Sequence, residues 1–225
     1  MVGDFPLLFL IFNKKFAIIF LKSKKRREDM KVVIIVDMQN DFIDGSLGTP
    51  EAQAIVPIMK KRLQEKYDSE DTVAVFTKDT HKDNYLETYE GINLPVEHCI
   101  EGTQGWYIHD DIAKVVDEGN FSKVTSETIV DGRVIKETFG APRLLNIIDA
   151  IYQVRDIDEI IFMGVCTDIC VISNALMCRS VFPAIPMIVE ADCCAGSTPD
   201  HHEAALDVMA SCQISIINRH KKEEE

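Results

Sequence analysis

Two hydrophobic patterns alternate along the chain from residue 31 onward. Short unbroken apolar runs at 32–36, 72–76, 160–163, 187–189 and 214–217 predict strands covered on both faces. Residues 122–124 predict a short strand, and 134–136 continue that region. Between these runs, apolar residues recur at helical spacing. Ile55, Ile58, Met59 and Leu63 predict a helix over 54–67 with Pro57 in its first turn, and Leu144, Leu145, Ile148 and Ile151 one over 142–153. Further helices are expected from Thr167 to about Ser180 and from about Pro199 to Met209, with a long irregular segment up to about Gly105. Strands that alternate with helices predict an α/β domain, a parallel sheet covered on both sides.

The first thirty residues break this pattern. Two apolar stretches, 5–12 and 16–21, are split by Asn13-Lys14-Lys15, and neither reaches the roughly 20 residues that span a bilayer. Residues 1–29 are read as an extension outside the fold, with translation starting at Met30. The run 24–29 is what purine-rich, ribosome-binding codons would encode. An amphipathic membrane anchor is the competing reading. The domain is expected over 30–220, followed by an acidic tail at 221–225. A net charge of −13 offers no basic surface for nucleic acid. Seven scattered cysteines without a CxxC pair point to free thiols in a reducing, cytoplasmic compartment.

In open parallel sheets, ligands sit beyond the carboxyl ends of the strands. Asp37, Asp79, His81 and Cys170 all stand just past such ends. Asp37 closes a five-residue apolar run, where burial raises a carboxylate toward the range useful for proton transfer. With Thr167 as N-cap, Cys170 is the third helical residue, and the helix dipole favours its thiolate. Lys136 lies between apolar residues and the turn at Gly140, placed to hold a thiolate charge or shuttle its proton. Asp79 and His81 point the same way in extended chain, and Glu87, Glu90 and His98 follow within twenty residues. Two His with one or two carboxylates suit a divalent transition metal. Asp41 and Asp44 read as turn formers. His109, His201, His202 and His220 read as surface residues or caps.

Five blocks, in order, carry a resemblance to a known family: Val36-Asp37-Met38-Gln39-Asn40-Asp41-Phe42; Asp79-x-His81; Pro95 to Cys99 with Gly102-Thr103-x-Gly105; Lys136-x-x-Phe139; and Gly164-Val165-Cys166-Thr167-Asp168-x-Cys170-Val171. From Met30 to about Asn218 the chain resembles the isochorismatase-like cysteine hydrolases, and among them the nicotinamidases. The resemblance implies a three-layer sandwich with a central six-stranded parallel sheet. It also implies a catalytic triad of Asp37, Lys136 and Cys170, a cis peptide before Cys166, and an oxyanion hole from the backbone N–H groups of Cys166 and Cys170.

The same resemblance implies one divalent metal (zinc, manganese or iron) on Asp79, His81 and His98, with Glu90 preferred to Glu87 as the added carboxylate, and no organic cofactor. Phe42, Trp106 and Phe139 are candidate substrate-pocket walls. The segment Leu94-Pro95-Val96-Glu97-His98 is one residue longer than the family's usual aromatic-Pro-x-His block. The implied reaction is hydrolysis of nicotinamide to nicotinate and ammonia through a Cys thioester, a step of NAD salvage, by a homo-oligomer. The alternatives are hydrolysis of another small amide, such as a carbamoyl or ureido compound, a non-catalytic binding protein, or a thiol redox role for Cys166 and Cys170.

Overall fold

The computed structural model describes residues 30–122 and 133–220. The expectations for residues 1–29, for most of the 122–124 strand and for the acidic tail lie outside the described residues. Ser122 itself makes a single parallel bridge to Val73.

The apolar runs become six strands: β1 (Met30–Val36), β2 (Thr72–Asp79), β3 (Arg133–Lys136), β4 (Ile157–Val165), β5 (Met187–Ala195) and β6 (Ser215–Ile217). All pair in parallel, in the order β3-β2-β1-β4-β5-β6. The chain winds outward from β1 to β3, then returns to place β4 on the other flank of β1. Neighbouring connections therefore leave β1 and β4 in opposite directions, which opens a crevice above their carboxyl ends. The pairing Val36↔Gly164 brings the ends of these two strands level. Gly164 is required there: it has φ +129°, and a Cβ on it would lie 2.1 Å from the Val36 carbonyl oxygen.

Seven α-helices complete the described layers: α1 (Asn40–Ile43), α2 (Pro50–Arg62), α3 (Tyr89–Asn93), α4 (Asp110–Glu118), α5 (Pro142–Tyr152), α6 (Ile172–Val181) and α7 (Pro199–Ser211). Buried Val, Ile, Leu, Met and Phe side chains from sheet and helices form one continuous core. The architecture is the three-layer α/β sandwich that the alternation predicts.

Three expectations need correction. First, α2 starts at Pro50, where Thr49 Oγ1 accepts the Ala52 N–H at 3.0 Å, so Pro57 lies in the helix interior rather than in its first turn. The Thr-Pro start is a standard N-cap followed by proline at N1, and it outweighs the apolar spacing that suggested residue 54. The last part of the expected helix, Leu63–Tyr67, is a π-helical turn. Second, α4 was not expected. Its buried Ile112, Val115 and Val116 do follow helical spacing, and His109 Nδ1 caps it by accepting the Asp111 N–H at 3.4 Å. Third, the turn after β4 is a π-helical one, Thr167–Val171, whose N-cap is Cys166 and not Thr167.

Candidate active site

β1 ends at Val36, and Asp37 turns out of the ladder with φ +49°, a left-handed conformation that costs a non-glycine residue about 1 kcal/mol or more. Its side chain is fully buried. Thr77 Oγ1 donates to Asp37 Oδ1 at 2.6 Å, and Lys136 Nζ lies 2.8 Å from Oδ2. The ammonium is thus within charge-assisted hydrogen-bond distance of the carboxylate. Lys136 is the last residue of β3, registered opposite Asp79 at the end of β2. Its ammonium reaches Asp79 Oδ1 at 3.0 Å and Cys170 Sγ at 3.5 Å. Three distant segments thus bring an acid, an amine and a sulfur together, as the sequence predicts.

Electrostatics refine the picture. Burial raises the Asp37 pKa, against the pull of Lys136. Burial likewise pushes the Cys170 thiol well above its ordinary value; Lys136 opposes this, while Asp37 and Asp79 add to it. Burial also works against the Lys136 charge, yet Asp37, Cys170 and Asp79 together outweigh it and hold the lysine protonated. These surroundings work against the thiolate that a helix dipole favours. Desolvation and two carboxylates exceed the effect of one short helical turn.

The second half of the site holds the expected ligand residues. Asp79, His81 and His98 are buried, with one donor atom from each lying within 4.8 Å of the others. His81 Nε2 is 3.0 Å and His98 Nε2 3.5 Å from Asp79 Oδ2. His98 Nδ1 faces the Val96 carbonyl at 2.8 Å; since a carbonyl only accepts, Nδ1 carries the proton and Nε2 is left to face the cluster. Glu90, on the short helix α3, places Oε1 3.7 Å from both Nε2 atoms. Glu87 is exposed, and so is Glu97 beside His98. Burial would raise the Asp79 pKa, but the contacts with His81 and His98 and the charge of Lys136 hold it far below the carboxylate range. An ionised carboxylate with two imidazole nitrogens fits a divalent transition metal.

The candidate pocket walls are placed differently from one another. Phe42 is buried with its ring 5.5 Å from that of His98. Trp106 donates its indole N–H to Thr80 Oγ1 at 2.8 Å and covers the ammonium of Lys78, whose pKa burial pushes down to about 8. Phe139 is half exposed. The cis peptide expected before Cys166 is present between Val165 and Cys166.

Several residues of the site escaped sequence reasoning. Gln39 is fully buried. Its Oε1 accepts the Asp79 N–H at 2.7 Å, and its Nε2 donates to the carbonyls of Asp79 at 2.8 Å and Trp106 at 2.9 Å. A side-chain amide thus takes the place of a β1 neighbour beside Asp79, whose other side pairs with β3. Tyr85 packs its ring 4.6 Å from His81 and 5.0 Å from His98. Asp41 is more than a turn former, since its Oδ2 accepts the Cys99 N–H at 2.7 Å and holds the His98 segment. His202 is neither cap nor surface residue: it is largely buried and its Nδ1 pairs with Thr167 Oγ1 at 2.8 Å. Position inside a quoted motif was the available signal for Gln39 and Asp41.

Comparison with known proteins agrees with this geometry. The nicotinamidase/pyrazinamidase of Mycobacterium tuberculosis is 30% identical over 192 residues, covering 84% of this chain and 98% of that protein. A nicotinamidase of Schizosaccharomyces pombe is 25% identical, covering 83% and 92%. In fold the chain is similar to the crystal structure of a Pyrococcus horikoshii pyrazinamidase in complex with zinc, with a TM-score of 0.64, 24% identity, and coverage of 84% of this chain and 99% of that one. The family model described as the isochorismatase domain matches residues 31–220, and the chain belongs to that family.

Proposed function

We propose that the protein is a metal-containing cysteine amidohydrolase that converts nicotinamide and water to nicotinate and ammonia. The observation that carries this reading is the meeting of Asp37, Lys136 and Cys170 around one buried ammonium, with Asp79 shared between that ammonium and the His81/His98 cluster.

In this mechanism Asp37, whose raised pKa makes it a stronger base than a free carboxylate, takes the thiol proton of Cys170 as the amide enters. Lys136 stays charged and offsets the thiolate. The sulfur attacks the amide carbonyl carbon, and the backbone N–H groups of Cys166 and Cys170 receive the developing oxyanion. The C–N bond breaks as Asp37 returns its proton to the departing nitrogen, which leaves as ammonia. Water then cleaves the thioester, giving the carboxylate and restoring the thiol. Asp79, His81 and His98, with Glu90 adjacent, would hold a zinc, manganese or iron ion that orients the pyridine ring. Phe42 beside His98 supports an aromatic substrate at that end of the site.

Free thiols at all seven cysteines support a reducing, cytoplasmic setting, and no described helix is long and apolar enough to cross a membrane. Exposed Leu86, Tyr89 and Ile92 support the expected homo-oligomer.

The test is ammonia release from nicotinamide, with linear ureido and carbamoyl compounds in parallel and metal analysis of the purified protein. Cys170→Ala should lower turnover by roughly 10⁴-fold or more while the metal content is retained. Substantial amidase activity in that variant rules the mechanism out.

A further inference from the structure

The segment that follows Lys136 is tied to the helix carrying the sulfur by a side chain the chemistry above leaves unused. Asn174, in the first turn of α6, is fully buried. Its Nδ2 donates to the carbonyl of Cys170 at 2.8 Å and, more weakly, to that of Phe139 at 3.5 Å. Its Oδ1 accepts the Ala141 N–H at 2.9 Å. One amide therefore grips the backbone of the nucleophile and the backbone on both sides of Gly140. A second contact is independent of these bonds: a Cβ on Gly140 would come within 2.6 Å of Met177 Cε, so the loop lies directly against α6.

The docking matters because of where Lys136 sits. Among the described residues, β3 is a four-residue edge strand with one strand neighbour, β2. Its register sets Lys136 against Asp79, but Cys170 follows β4, two strands beyond β2. Among the described residues, no strand pairing fixes the lysine relative to the sulfur. Asn174 supplies a direct link, three residues past the lysine at Phe139 and five past it at Ala141.

We propose that Asn174 is a positioning residue that sets the Lys136–Cys170 spacing by docking residues 139–141 onto the nucleophile's turn. The inference rests on the triad reading given above. A buried thiolate needs its counter-charge close, and a misplacement of about 1 Å in such a site costs on the order of a hundredfold in rate. Asn174 therefore governs turnover and sulfur reactivity rather than substrate affinity.

Asn174→Ser provides the test. A serine there can still bond back to the Cys170 carbonyl, as Ser173 does to that of Ile169 at 2.6 Å, but it is too short to reach Ala141. The expected result is a fall in kcat for nicotinamide of roughly tenfold to a hundredfold, with KM held within about twofold. Alkylation by iodoacetamide, followed peptide by peptide, should slow at Cys170 while the exposed Cys212 reacts as in the unaltered protein. Gly140→Ala, which presses the loop away from Met177, should give the same selective slowing and serves if Asn174→Ser does not fold. A folded variant with unchanged kcat and unchanged Cys170 alkylation overturns the proposal, as does a raised KM at constant kcat. If the unaltered protein leaves nicotinamide intact, the substrate assignment fails by itself, and the alkylation rates still decide the role of Asn174.

Discussion

Two buried charge clusters in this molecule use nearly the same components to opposite ends. In the first, one ammonium, Lys136, is shared among two carboxylates and a thiol. In the second, one carboxylate, Glu190 in the middle of β5, is over-supplied. Its Oε1 accepts from Lys66 at 2.7 Å and Tyr67 at 2.5 Å, and its Oε2 accepts from Arg62 and from Asn218 at 2.6 Å. Arg62 also pairs with Asp192 at 2.7 Å. Burial acts on both carboxylates alike. At Asp37 it wins and the pKa rises; at Glu190 the donors win and the pKa falls. A satisfied buried charge holds α2, its π-helical end, β5 and the chain after β6 together. One that shares its counter-charge keeps proton affinity at the mouth of the sheet, where the chemistry is proposed.

Removing the centre of each cluster separates the two roles most sharply. Lys136→Met leaves Asp37 without its counter-charge and Asp79 with its histidines alone, and should lower kcat by roughly a thousandfold or more while costing about 3–5 kcal/mol of stability. Activity assays and urea unfolding measure the two effects. Glu190→Gln leaves Lys66 without its counter-charge and Arg62 with Asp192 alone, and should also cost about 3–5 kcal/mol, yet the folded enzyme should keep its kcat within about twofold. A large loss of kcat there would erase the distinction.

Acid provides a subtler separation because the pKa shifts have opposite signs. Glu190 is lowered from 4.5, so its contribution to stability is full above that value and lost as pH falls through its folded pKa. Asp37 is raised from 3.8, so its contribution is full below that value and lost as pH rises through its folded pKa. Stability measured from pH 6 down to about 3 should therefore fall less steeply in Glu190→Gln and more steeply in Asp37→Asn. Slopes in the reverse order would refute the assignment of burial as the winning force at Asp37. The smallest effect is expected for Thr77→Val, which removes the single hydroxyl donor to Asp37 Oδ1. A charge-assisted bond of about 1.5–3 kcal/mol is lost, and kcat should drop about tenfold or somewhat more.

Much of this protein is legible in one dimension. Buried parallel strands must be unbroken apolar runs, because both faces are covered, and this period declares the sheet without any knowledge of contacts. The chemically capable residues just past those runs, Asp37, Asp79 and Cys170, are conspicuous because ligands of such sheets sit beyond the carboxyl ends of the strands. Lys136, His81 and His98 were found by their spacing within family-like blocks. Local patterns also misled where a stronger local signal stood nearby, as at Thr49-Pro50, which starts α2 four residues before the apolar spacing suggests.

What tertiary structure alone decided is the balance of charge and hydrogen bonding. Gln39, Tyr85 and Asn174 act through backbone or rings brought near by distant segments, and nothing in their own neighbourhoods along the chain announces those partners. The upward shift of the Cys170 pKa is of the same kind. The chain order shows a helix start beside a cysteine, whereas the proton's fate depends on burial and on two carboxylates from other strands. Secondary structure follows from short-range periodicity, so sequence suffices for it. Proton affinity depends on desolvation and on charges a few ångströms away in space, and these exist only once the strands have been laid side by side.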